Sequence, residues 1–196
     1  MTDAAQPSGD AGPRRVGALR ATLAMMISPG RVLEQHAGSI AAPWALLVSG
    51  LAFTLFFLQT GLDLERVGRL ASDDVAALAG KGAAIGILGV AVLAFLAWAF
   101  SLPFGGQRTA GWAVRAFGLG YSPALVYGAV GLGLNLGLKW NTAVACGVTG
   151  LLWALGPLFA ALREMTGGKN GVSAVLSTLC GAAMLFAWAE LSLGGG

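Results

Sequence analysis

Five stretches of the chain, each at least 20 residues long, contain no charged residue. They cover residues 35–62, 82–107, 116–138, 140–162 and 170–189. A helix needs about 20 apolar residues to cross a hydrocarbon core roughly 30 Å thick, so each stretch is long enough. Backbone in lipid must satisfy its own hydrogen bonds, and the alternating polarity of a membrane barrel is missing. We therefore predict an all-α integral membrane protein with five transmembrane helices, preceded by short cytoplasmic amphipathic helices.

The charged residues between these stretches predict where the spans end. The predicted bundle covers residues 39–193, with spans at about 40–61, 82–104, 113–138, 141–162 and 171–191. Lys139 alone separates the third and fourth stretches, so residues 139–141 are predicted to form a tight turn at the membrane surface. Residues 63–81, which carry four acids and three bases, are predicted as a polar loop. Residues 105–108 and 163–170 are predicted as short turns.

Composition excludes several classes of function. Only 11% of the residues are charged, against about 25% in soluble domains, and no dense basic block is present for binding nucleic acid. His36 is the one histidine, and the two cysteines cannot complete a zinc site, so no metal, no cofactor and no catalytic residue is predicted. Cys146 and Cys180 differ in predicted depth by about 6 Å, which favours free thiols over a disulfide. We expect the protein not to be an enzyme.

The distribution of lysine and arginine predicts the orientation. With five spans, eight of these cations fall on the side of the N-terminus and four on the other side. Because cytoplasmic loops carry the excess of positive charge, the N-terminus is predicted to be cytoplasmic and the C-terminus to be outside.

The segment before the first span contains candidate lipid contacts. Residues 1–13 are predicted to be a disordered tail, and residues 14–38 a basic interfacial segment. Its apolar face is predicted to contain Val16, Leu19, Leu23, Met26 and Ile27. The candidate contacts with lipid headgroups are Arg14, Arg15, Arg20 and Arg31. The alternative is that residues 14–36 simply pack on the rim of the bundle. Ser28 and Pro29 are predicted to start a second short helix towards Gly38.

Small residues four apart predict close helix packing. Gly82 and Gly86 form one such pair, Gly133 and Gly137 another, and Gly120, Ala124 and Gly128 a longer series. Helices in lipid associate most closely where side chains are small. The spacing indicates a compact bundle, but a homodimer interface would show the same pattern.

Two prolines and several hydroxyl groups share one predicted depth near the cytoplasmic side. Each proline leaves a backbone carbonyl, that of Leu119 or of Trp153, without its helical donor. The candidate inner-leaflet cleft or partner site consists of Tyr121, Ser122, Pro123, Pro157, Ser177 and Thr178. The alternative is that the hydroxyl groups only satisfy the freed carbonyls.

Three short segments carry a family resemblance. They are residues 28–33, the sequence Gly120-Tyr121-Ser122-Pro123, and residues 166–173 before a fifth span rich in small residues. Together they resemble the Yip (Ypt-interacting protein) family of five-span membrane proteins, most closely its prokaryotic members. The resemblance implies a cytoplasmic N-terminus and a place in a prokaryotic cytoplasmic membrane. Eukaryotic members act as adaptors for Rab GTPases, but their Asp-Leu-Tyr-Gly-Pro stretch has no counterpart here.

These observations predict a non-enzymatic membrane scaffold or adaptor. Its expected partners are membrane lipids, together with a membrane protein or further copies of the chain, and no nucleic acid. The alternative is a small transporter, channel or lipid translocator with a path between the third, fourth and fifth helices, because paired proline-interrupted spans occur in transporters.

Overall fold

The computed structural model describes residues 17–193, and within this range the chain is all-helical. Helices α1 (Ala18–Ile27) and α2 (Pro29–Gln35) precede five helices that are long and apolar enough to cross a membrane. The five spans are Ala42–Arg66, Ser72–Phe104, Ala110–Leu138, Ala143–Met165 and Asn170–Ser192. This confirms the predicted fold class, an all-α multi-pass membrane protein. The predicted tail at 1–13, Arg14 and Arg15 lie outside the described residues.

Three of the spans are not continuous α-helices. The first span is α3 (Ala42–Arg66) and the fifth is α9 (Asn170–Leu193). The second consists of α4 (Ser72–Ala84), a π-helical segment (Ile85–Gly89), α5 (Val90–Ser101) and a 3-10 turn (Leu102–Phe104). The third consists of α6 (Ala110–Gly120) and α7 (Ser122–Leu138), and the fourth of a π-helical segment (Ala143–Val148) and α8 (Thr149–Met165).

The predicted polar loop at 63–81 is much shorter than expected. Helix α3 continues to Arg66 and α4 begins at Ser72, so only residues 67–71 connect the two spans. Charged residues end the part of a helix that can lie in hydrocarbon, but they do not end the helix itself. Asp73 and Asp74 lie in the first turn of α4, where acidic side chains interact favourably with the helix dipole.

Close backbone contacts join the first and second spans. A Cβ atom added at Gly82 would lie 2.6 Å from the Phe53 carbonyl oxygen, and one at Gly86 would lie 2.5 Å from that of Ser49. The Ser49 hydroxyl donates to the Gly86 carbonyl at 2.6 Å, so the first span supplies a hydrogen bond where the second is π-helical. The predicted role of this glycine pair in helix packing is confirmed.

The other glycines of the predicted series differ in their surroundings. Gly120 packs against Leu158 of the fourth span, and Gly128 packs against Leu55 of the first. Gly133 and Gly137 face open space, with no atom within 4 Å of an added Cβ. The last two glycines therefore take no part in packing among the described residues of the chain.

A partly buried polar cluster joins the end of the first span to the turn between the third and fourth. Asn135 is fully buried, and its Nδ2 donates to Asp63 Oδ1 at 2.6 Å, while its Oδ1 accepts from Arg66 at 2.8 Å. Asp63 Oδ2 accepts from the Ala143 backbone N–H at 2.9 Å, and Arg66 also donates to Asn141 Oδ1 at 2.8 Å. The tight turn predicted at 139–141 is present, with Lys139 in the left-handed conformation.

One hydrogen bond and one stacked pair hold the fifth span against the first. The Trp188 indole donates to the Thr60 hydroxyl at 3.0 Å, and its ring stacks on Phe56 with centroids 5.1 Å apart. An indole that finds both an apolar neighbour and a polar acceptor is favoured near the membrane surface. Cys146 and Cys180 are both free, as predicted.

The order of the spans predicts the labelling of two introduced cysteines. In a background with Cys146 and Cys180 replaced by alanine, we expect Lys139→Cys and Arg163→Cys to react with a membrane-impermeant maleimide from opposite sides. The charge bias predicts that Arg163→Cys is the cytoplasmic one. The measurement compares intact cells with inverted vesicles. Labelling of both cysteines from the same side would contradict a membrane crossing between positions 139 and 163.

Candidate functional site

Helix α1 is docked on the bundle at one end of the first span. Ala21 and Met25 are fully buried, and the Thr22 hydroxyl accepts a hydrogen bond from the Trp44 indole at 3.1 Å. Trp44 and Asp63 are 19 residues apart on the same helix, or roughly 28 Å at 1.5 Å per residue. Since a hydrocarbon core is about 30 Å thick, we expect α1 to lie near the membrane boundary opposite the polar cluster of Asp63, Arg66 and Asn135. We call this end of the molecule the α1–α2 face.

The other side of α1 is apolar and has no partner among the described residues. Leu19, Leu23 and Ile27 are 64%, 50% and 87% exposed. Their spacing of four residues aligns them along one side of the helix. Met26, which was predicted to share this face, is half-buried, and Val16 lies outside the described residues. One side of α1 thus packs on the rim of the bundle, as the alternative interpretation expected, and contact of its outward side with lipid stays a prediction.

Helix α2 packs against both α1 and the fourth span. Pro29 occupies the first turn, as predicted, while Ser28 precedes it without a side-chain capping bond. Val32 and Leu33 are buried, whereas Arg31 and Glu34 are exposed. The helix ends at Gln35 and does not continue towards Gly38.

The residues of the predicted inner-leaflet cleft lie mostly in the interior. Those that are buried are Tyr121, Ser122, Pro123, Pro157 and Ser177. Thr178 is exposed and lines a groove between the fourth and fifth spans, and none of the other five lines that groove. Partner binding at these residues stays a prediction.

The hydroxyl groups of this set bind nearby backbone carbonyls. Ser122 Oγ donates to the Leu119 carbonyl at 2.5 Å, which is the carbonyl predicted to lose its donor because of Pro123. Ser177 Oγ donates to the Ala174 carbonyl at 3.0 Å. The hydroxyl of Tyr121 has no hydrogen-bond partner among the described residues, and its ring packs edge-on against Phe53 at 5.1 Å.

The α1–α2 face carries more cationic than acidic side chains. Three of its cations, Arg108, Arg115 and Lys169, contact other residues of the bundle. Arg108 pairs with Glu164 at 2.8 Å and lies over the Trp112 ring at 4.9 Å. Lys169 lies over the Phe104 ring at 5.2 Å, and Arg115 donates to the Gly38 carbonyl at 3.1 Å. This face therefore presents a positively charged surface of partly fixed side chains to whatever lies beside the membrane.

The sequence analysis did not identify Glu34 and Glu164 on this face, nor the hydrogen bond from Trp44 to Thr22 that docks α1. Glu164 and its partner Arg108 are 56 residues apart, and Thr22 and Trp44 are 22 residues apart. No local pattern reports such pairs. Among residues 17–193, no group of three potential metal ligands comes together.

Searches with protein-family models, curated protein sequences and solved structures found no match to the chain.

Proposed function

We propose that this protein is a non-enzymatic integral membrane scaffold or adaptor that binds lipid and partner proteins at its α1–α2 face. The observation that supports this most is the apolar side of α1, which is exposed at the end of the bundle that contains Trp44. The resemblance to the Yip family favours the same role and a cytoplasmic position for this face in a prokaryotic cytoplasmic membrane.

The exposed side of α1 suits contact with lipid. Leu19, Leu23 and Ile27 are each at least half exposed, and removing such a side chain fully from water contributes roughly 1.5–3 kcal/mol. The nearby cations Arg20 and Arg31 would each gain about 1 kcal/mol from anionic headgroups. Because α1 is also docked through Ala21, Met25 and Thr22, insertion of its apolar side would couple the headgroup region to the bundle.

A fluorescence measurement tests the lipid contact. In the background without native cysteines, we expect an environment-sensitive dye on Leu23→Cys to emit as in an apolar medium, because this position faces the acyl chains. Lipids brominated near the headgroup end of the chain should quench it. The matched control is Val67→Cys, an exposed apolar position in the loop at 67–71, which should emit as in water. Water-like emission from position 23 would contradict the proposal.

Co-purification tests the adaptor role. We expect the variant Leu19→Ala, Leu23→Ala, Ile27→Ala to recover less associated membrane protein, or fewer second copies of the chain, from a mild detergent. The control is Leu88→Ala, Val92→Ala, Leu96→Ala, which removes three exposed side chains of the second span instead. Equal recovery by both variants argues against docking through α1. Solute flux into liposomes by the purified protein would support the transporter alternative instead.

A further inference from the structure

A charged cavity lies where α2 meets the end of the fourth span. Its volume is about 390 Å³, and its lining includes Gly30, Glu34, Phe159, Arg163, Glu164 and Gly167. This volume is within the range of about 300–1,000 Å³ that is typical of ligand pockets. The polar residues lie at the α1–α2 face, whereas Phe159 lies one helical turn further into the membrane.

The charges of this cavity suit a ligand that carries both signs. Glu164 is already paired with Arg108 at 2.8 Å. Glu34 and Arg163 are exposed, and neither is within 4 Å of an oppositely charged group in the described part of the chain. The Glu34 carboxylate and the Arg163 guanidinium thus line the same cavity without forming an ion pair with each other.

A separate apolar groove lies between the fourth and fifth spans, further into the membrane than the cavity. Leu152, Leu155, Phe159 and Arg163 are spaced by three or four residues, so they form one stripe on the helix. The groove, of about 170 Å³, is lined by Leu152 and Leu155 and, from the fifth span, by Thr178, Gly181, Ala182 and Leu185. From Arg163 to Leu152 the stripe is roughly 16 Å long, which is close to half of a hydrocarbon core of about 30 Å.

We infer that α2 and the fourth span together hold one phospholipid with an ethanolamine headgroup, with its phosphate at Arg163, its ammonium at Glu34 and an acyl chain in the groove. The ammonium can donate hydrogen bonds to a carboxylate, as the quaternary amine of choline cannot. An anionic lipid without an ammonium group would leave the Glu34 carboxylate without a cationic partner. This site is distinct from the exposed side of α1 and does not depend on the role proposed for that helix.

Lipid-dependent thermal stability tests the headgroup site. The delipidated full-length protein in detergent is titrated with phosphatidylethanolamine, phosphatidylcholine or phosphatidylglycerol of identical palmitoyl-oleoyl chains. We expect phosphatidylethanolamine to raise the melting temperature at the lowest concentration. Glu34→Gln and Arg163→Gln should each weaken its apparent affinity about tenfold, the loss of one charge-assisted hydrogen bond. Arg69→Gln, an exposed change at the opposite face, should leave it unaltered.

The groove has its own variants. Thr178→Phe should fill it and weaken phosphatidylethanolamine binding, whereas Leu179→Phe, at the adjacent exposed position outside the groove, should not. Glycerophosphoethanolamine, which lacks acyl chains, should bind much more weakly than the lipid, and equal affinity would overturn the assignment of the groove. Equal stabilisation by all three lipids, or strongest stabilisation by phosphatidylglycerol, would overturn the assignment of the headgroup site.

Discussion

Replacing Gly86 by leucine is expected to lower the free energy of unfolding by about 3 kcal/mol or more, at the upper end of the cost of overpacking. A Cβ at this position would lie 2.5 Å from the Ser49 carbonyl oxygen and 2.7 Å from the Gly50 Cα. Both are backbone atoms, so the first and second spans would have to move apart. Their separation would also break the 2.6 Å bond from Ser49 to the Gly86 carbonyl.

The measurement uses the buried thiol of Cys180 as a reporter of unfolding. In a Cys146→Ala background, a thiol-reactive dye should label Cys180 at a distinctly lower temperature in the Gly86→Leu protein than in its parent. Gly80→Leu is the matched control, because Gly80 lies on the same span and has no atom within 4 Å of an added Cβ. If both substitutions lowered the labelling temperature equally, close contact at Gly86 would not explain the loss.

The second large effect is expected from Asn135→Leu, which should destabilise the protein by about 2–4 kcal/mol. The fully buried amide is the common partner of Asp63 and Arg66, at 2.6 Å and 2.8 Å. Leucine has a similar volume but no polar atoms, so both charged groups would each lose a hydrogen bond at a partly buried site. Thermal labelling of Cys180 again provides the measurement.

Asn141→Leu is the control for this substitution. Its side-chain oxygen also accepts from Arg66 at 2.8 Å, but the residue is exposed. Water can replace that bond, so the expected loss is below about 1 kcal/mol. A loss as large as that of Asn135→Leu would show that burial of the amide is not the cause.

Gly86 and Asn135 stabilise the bundle at two different depths and by different interactions. Gly86 allows backbone contact within the apolar region, whereas Asn135 lies in a polar cluster at the end of the spans. The α1–α2 face is organised differently, because its exposed apolar stripe and its charged cavity remain without partners in the described part of the chain. We therefore expect the α1–α2 face to be where the protein meets lipids or other proteins.

The predictions from sequence were best where they depended on a local property. The turn at Lys139 and the hydroxyl bond from Ser122 to Leu119 follow from the identity of neighbouring residues, and both are present. The loop at 63–81 was predicted too long, because charge reports where hydrocarbon ends and gives no information on where hydrogen bonding along the helix ends. The exposed position of Thr178 could not be predicted, since the rotation of a span about its axis is hardly encoded in a uniformly apolar segment.

The number of spans and their places in the chain were determined by the sequence alone, because five uncharged stretches of sufficient length can be stable in hydrocarbon only as helices. The tertiary structure decided which residues meet. Asp63 binds Asn135 and Ser49 binds Gly86, although 72 and 37 residues separate them. It also decided that α1 packs with one side and exposes another. Lipid is as apolar as the side chains of the spans, so hydrophobicity selects no contact surface, and only shape and hydrogen bonding do.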